Sequence, residues 1–114
     1  MEHVMHLYPT PFSMIKSGAK TIELRLYDEK RRGIAPGDTI RFHNAEDPDQ
    51  TILTRVLELY VFESFEALYR QLPLLSCGYT PDDISGASPK DMEAYYSPEA
   101  QKRYGVVGIR IAVI

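Results

Sequence analysis

Apolar and polar positions change period several times along this chain. From Lys20 to Tyr27, Ile22, Leu24 and Leu26 alternate with Thr21, Glu23, Arg25 and Tyr27, the two-residue period of a strand with one apolar and one polar face. The C-terminal run alternates in the same way and predicts Val107, Ile109, Ile111 and Val113 pointing inward. Between them, Pro36-Gly37-Asp38 reads as a turn into a strand over Thr39–His43. Thr51–Phe62 is apolar on both faces for much of its length, as expected for a strand bent across a small barrel. The opening residues through Tyr8 read as a further short strand.

Helical spacing occupies the gaps. Phe65, Leu68, Tyr69 and Leu72 lie at i, i+3, i+4 and i+7, predicting a helix that starts near Ser64 and closes at Pro73. Thr10-Pro11 resembles an N-cap followed by proline, with Phe12 and Ile15 on one helix face and Gly18 as the stop. The same start signal recurs at Thr80-Pro81, Ser88-Pro89 and Ser97-Pro98, and Asp83 and Asp91 fall three residues after their caps. Met92, Tyr95 and Tyr96 predict a later helix that Gly105 ends. Strands early, helices inserted and a closing strand predict an α+β chain built as a compact mixed β-barrel, with an α+β sandwich as the alternative.

At 114 residues, 44% hydrophobic and 25% charged, the chain has the composition of one globular domain spanning residues 1–114. No repeat or linker-like break divides it. A single cysteine, Cys77, cannot bridge internally and suits a reducing compartment. The first residues carry no basic leader and no apolar run, so no secretory signal is expected, and no apolar stretch is long enough for a membrane span. Cytoplasmic location is the expectation. The net charge of −3 gives no bulk attraction for nucleic acid. Lys16, Lys20, Arg25, Lys30, Arg31 and Arg32 nevertheless crowd one early segment, and a local basic patch can steer a phosphate-bearing ligand.

The segment Gly18–Arg25 concentrates the candidate chemistry. Glu23 and Arg25 project from one strand face about 7 Å apart along the backbone. Their side chains either pair with each other or both meet a ligand. Lys20 has the parity of the apolar face, so it converges with them only if it precedes regular pairing or sits beside a bulge. Gly18 makes such an entry inexpensive. On spacing alone, an ordinary strand edge with one salt bridge stays open as an alternative.

The pattern G-x-K-x-x-E-x-R, filled by Gly18, Lys20, Glu23 and Arg25, resembles the signature of ASCH domains, a branch of the PUA-like superfamily. The preceding YPTPFSMIKSG, the PGD turn with its IRF strand and the late YYSPEAQKRYGVVGI segment agree in order, so the resemblance covers nearly the whole chain. It implies a small PUA-like β-barrel with short helices over its openings and a cleft lined by the motif. It also implies RNA or a modified nucleoside or nucleotide as ligand. Lys20 and Arg25 are then expected to contact phosphate or a base acceptor, with Glu23 orienting one of them or accepting from a base amino group. Tyr96 and Tyr104 are candidates for stacking on a base, the alternative being half-buried core tyrosines.

Two related activities give a second reading, a weak hydrolase with Lys20 as its catalytic residue. ASCH-like proteins that hydrolyse acetylcytidine place a threonine where this chain has Glu23, and a carboxylate does not substitute for that nucleophile. ASCH-like ribonucleases need a base and a phosphate-binding cation, either of which Lys20 could supply. A protein-interaction adaptor is the third reading. No cofactor or metal is expected: His3 and His6 are three apart in a strand and should face opposite ways, and His43 stands alone. Ser97 reads as an N-cap.

Overall fold

In a computed structural model that describes all of residues 1–114, five strands form one curled sheet in the order β1-β3-β4-β5-β2. These are β1 (Glu2–Leu7), β2 (Ile22–Leu26), β3 (Thr39–Asn44), β4 (Asp47–Phe62) and β5 (Val106–Val113). β1 and β3 run parallel, and every other pairing is antiparallel. The result is an α+β half-barrel, open between its edge strands β1 and β2. The long strand β4 makes the curl. Its first half pairs with β3 and its second half with β5, and the register shifts between Val56 and Glu58, where a bulge bends the strand.

Four helices pack on this sheet: α1 (Pro9–Ser17), α2 (Glu29–Arg32), α3 (Phe65–Gln71) and α4 (Pro98–Tyr104), with short 3-10 turns between α3 and α4. Two apolar clusters separate the faces. Phe12 and Ile15 of α1 plug the concave side against Met5, Phe42, Val107 and Ile109. On the convex side, Phe65 and Leu68 of α3 cover Ile22, Leu24, Leu26 and Val106. Burying each such side chain stabilises by about 1.5–3 kcal/mol. α3 lies directly on β5 backbone: a Cβ at Gly108 would stand 2.6 Å from Leu72 Cδ1.

Most predicted elements stand, with three corrections and one addition. Thr10 is not a cap. Helix α1 begins two residues earlier at Pro9 with Tyr8 as N-cap, and both prolines fall in its first turn, where their missing N–H groups are not needed. The expected late helix is split by Ser97-Pro98 into a 3-10 turn over Pro89–Ala94 and the separate α4. Val113, the last residue of β5, is exposed rather than inward. The basic run after Tyr27 is helical: the Asp28 carboxylate accepts from the Arg31 amide and caps α2.

The remaining caps behave as their residue types dictate. Ser64 and Ser97 accept from the amides of Ala67 and Ala100, and Ser88 with Asp91 forms a reciprocal capping box. Gly18 closes α1 at φ 85°, a left-handed conformation that glycine adopts without strain.

Candidate functional site

The left-handed turn at Gly18 sets up the site. It drops the chain out of α1 so that Lys20 donates its amide to the Met14 carbonyl and Thr21 donates to Ser76. Regular β2 pairing begins only at Ile22. Lys20 thus precedes the strand, free of its parity, as convergence required. Glu23 and Arg25 stand opposite Ile109 and Val107 of β5, so they share the concave face with the apolar core. That is the face which the alternation marked as polar.

The three charges meet. Lys20 Nζ lies 2.7 Å from Glu23 Oε1, and Arg25 Nε and Nη2 both lie 2.8 Å from Glu23 Oε2. Glu23 is 3% exposed, with the Lys20 and Arg25 side chains at 10% and 14%. Burial by itself pushes the Glu23 carboxyl up, but the charges and hydrogen bonds of Lys20 and Arg25 outweigh it and hold the group below the usual carboxylate range. Arg25 also donates through Nη2 to the His6 carbonyl at 3.0 Å, strapping β2 to β1 across the open seam of the half-barrel. The Lys20 stem lies along Gly78, where φ is 110° and an added Cβ would stand 3.4 Å from Lys20 Cδ.

The triad lines a cavity of about 650 Å³, inside the roughly 300–1,000 Å³ range of small-ligand sites. Tyr8 and Met14 wall it on one side, and Tyr79, Tyr95 and Tyr96 on the other. Burial raises the Tyr96 phenol, with the nearby Arg25 charge opposing. One wall is a chain of hydrogen bonds: the Tyr69 and Tyr79 hydroxyls lie 2.7 Å apart, and Tyr79 donates to Asp91 Oδ2 at 2.6 Å. Asp91 accepts from the Ser88 amide through the same oxygen, so a turn-capping carboxylate also fixes the cavity wall. Its position three residues after Ser88 marked only the cap. Nothing in the spacing marked Tyr69 or Tyr79 as wall residues.

Tyr104 is not among the residues that line this cavity. It packs at the edge of the convex cluster, at the end of α4. Of the early basic residues, only Lys20 and Arg25 line the cavity; Arg31 pairs with Asp28 at 3.0 Å and Arg32 donates to the Tyr104 carbonyl. The histidines, expected to be isolated, have neighbours. His3 meets Asp38 at 2.8 Å, and His6 stacks on His43 because β1 and β3 align them. No group of three or more His, Cys, Asp or Glu side chains converges. Cys77 borders the cavity. Burial pushes its thiol up to about 11, so it is protonated near neutrality and a poor nucleophile.

A buried carboxylate clamped by the lysine and arginine of G-x-K-x-x-E-x-R, on the floor of a half-barrel cavity, matches one family over nearly the entire chain. The ASCH domain pattern covers residues 5–114. The chain belongs to the ASCH domain family.

This ASCH domain is similar over 100% of its length to the crystal structure of hypothetical protein PH0355, at 34% identity and a TM-score of 0.82, covering 100% of that chain. It is equally similar in sequence, at 34%, to protein PF0455 from Pyrococcus furiosus, with a TM-score of 0.73 and 98% of that chain covered. The crystal structure of ASCH from Zymomonas mobilis shares the fold at 16% identity and a TM-score of 0.64, with 99% of this chain and 70% of that one aligned. No curated protein matches the chain. ASCH domains have a PUA-like fold that is generally an RNA-binding one. No helix is long and apolar enough to cross a membrane.

Proposed function

We propose that this ASCH domain binds single-stranded RNA by taking one nucleobase into the cavity above Lys20, Glu23 and Arg25. The observation that carries this reading is the buried triad. Holding a carboxylate and two cations out of water is expensive, and well-packed apolar residues of similar volume often serve stability as well or better. A triad kept at the floor of an open cavity therefore favours a ligand role. Lys20 retains two N–H donors beyond its bond to Glu23, and Arg25 retains those of Nη1. Both can donate to a base carbonyl or ring nitrogen, while Glu23 holds them in place. Tyr96 offers a ring for stacking.

Charge favours a base over a phosphate inside. Lys20 and Arg25 face Glu23, Asp83 and Asp91 among the cavity residues, a formal sum of two positive against three negative charges. A neutral heterocycle with acceptors suits that balance.

The test is titration of a short fluorescein-labelled RNA into the protein and its Lys20→Met and Arg25→Met variants, with folding checked by circular dichroism. Losing one charge-assisted hydrogen bond, worth about 1.5–3 kcal/mol, predicts a 10- to 150-fold weaker complex. Undiminished binding by folded variants would reject the cavity as the site. Chromatography of the incubated RNA reads any cleavage in the same samples.

A further inference from the structure

A second feature lies one step along β2 from the cavity. Glu23, Arg25 and Tyr27 follow one another on the same face, each step about 7 Å. The Arg32 guanidinium carbon sits 4.5 Å from the centre of the Tyr27 ring, and Arg32 Nη2 donates to the Tyr104 carbonyl at 3.2 Å. Arg103 lies 5.2 Å over the Tyr104 ring. The C-terminal ends of α2 and α4, 72 residues apart in sequence, are thereby joined into one ridge, with exposed Lys30 on the same turn as Arg32. None of Lys30, Arg32 and Arg103 is paired with a carboxylate, whereas Arg31, Arg41, Arg70 and Arg110 all are. Lys102 is left out of the ridge because it borders a groove with Glu63, Glu66 and Glu93.

Arg32 and Arg103 meet through Tyr104, and Lys30 adds a third unpaired cation two residues from Arg32; on a protein of net charge −3 they make a local anion-seeking surface. Two of them already sit over tyrosine rings, which restricts their guanidinium groups and leaves N–H donors for phosphate oxygens. The ridge also neighbours the cavity: Tyr96, a cavity residue, accepts through its carbonyl from Gln101 of α4 at 3.0 Å.

We infer that the sugar-phosphate backbone of a single-stranded nucleic acid leaves the cavity along β2 and crosses the ridge of Arg32, Arg103 and Lys30. This inference rests on the base-in-cavity reading and extends it. The cavity holds the base, and the ridge holds the phosphates of the neighbouring nucleotides. Tyr104 acts here as the platform for Arg103 rather than inside the cavity. A free nucleoside uses the cavity alone, so strand length discriminates between the two parts.

The experiment compares a short fluorescein-labelled single-stranded RNA with unlabelled mononucleosides, using the wild type, the triple variant Lys30→Gln/Arg32→Gln/Arg103→Gln and a Lys90→Gln control. Three phosphate contacts on a single strand give a log-log salt slope of about −2, an affinity loss of about 20-fold between 50 and 200 mM salt. The triple variant is expected to lose that slope and to bind mononucleosides as the wild type does. Lys90→Gln is expected to keep the slope. A variant carrying Arg32→Lys and Arg103→Lys keeps the charges and is expected to keep most of it. An unchanged slope in the triple variant overturns the ridge. Displacement of the RNA by poly-glutamate as effectively as by unlabelled RNA also overturns it, in favour of an acidic protein partner. If the slope changes as expected but mononucleosides fail to bind and Lys20→Met has no effect on RNA binding, the cavity reading fails and the ridge alone carries the nucleic acid.

Discussion

Replacing Glu23 by glutamine removes the negative charge on which two buried cations converge and changes little else in shape. Lys20 and Arg25 would remain at 10% and 14% exposure, facing each other with no carboxylate between them. Removing one partner from a buried ion pair costs about 3–5 kcal/mol, because the remaining charge is left uncompensated. With an unfolding entropy of about 2.1 cal/mol/K per residue, the 114 residues give about 0.24 kcal/mol/K, so Glu23→Gln should lower Tm by roughly 12–21 °C. Urea denaturation followed by circular dichroism reads the free energy directly. Adding Lys20→Met to Glu23→Gln removes one stranded cation, so the double variant should be more stable than Glu23→Gln alone. The pH profile gives an independent readout. The Glu23 carboxyl lies below its ordinary 4.5 in the folded state, so the folded chain binds fewer protons there than the unfolded one. Its contribution is therefore present above about pH 4.5 and lost as pH falls through the lower folded value. The wild type should show this acid loss, and Glu23→Gln should lack its Glu23 component. A Glu23→Gln loss below about 1 kcal/mol, the size of an exposed ion pair, would refute the buried-triad reasoning.

Three further outcomes are expected. Gly105 holds φ 73° and ψ −173°, a region nearly restricted to glycine, with an added Cβ only 3.0 Å from the Phe62 carbonyl oxygen. Gly105→Ala should thus cost about 1–3 kcal/mol in urea melts, and a neutral result would mean that the turn before β5 relaxes freely. Tyr79→Phe removes the hydroxyl shared by Tyr69 and Asp91 and should lower stability by about 1–3 kcal/mol, with weaker RNA binding because a cavity wall loosens; unchanged values for both would show that the wall needs no such link. With its thiol raised to about 11 by burial, Cys77 should react with a disulfide reagent at pH 7.5 far more slowly in the native than in the urea-unfolded protein. Equal rates would place it in solvent.

The sequence by itself determined the local elements and the chemistry of one strand. Two-residue alternation located β2 and most of β5, and 3.6-residue spacing after Ser64 located α3. These signals are local because backbone geometry fixes which neighbours share a face. Gly18, Lys20, Glu23 and Arg25 were legible as a motif, and the need for Lys20 to precede regular pairing followed from strand parity alone. Tertiary structure decided which face of β2 is interior. Glu23 and Arg25 carry the residue types of a solvated face, yet the curl of β4 and the plug of α1 enclose that face at the open seam. Pairing also decided the wall and the ridge. Tyr69, Tyr79 and Asp91 meet across separate turns, while Arg32 meets Tyr104 across 72 residues, and no periodicity encodes contacts between elements. Tyr104 shows the difference most plainly: its position just before a glycine announced the end of a helix, and only packing determined that the ring lies beside Arg103 instead of in the cavity.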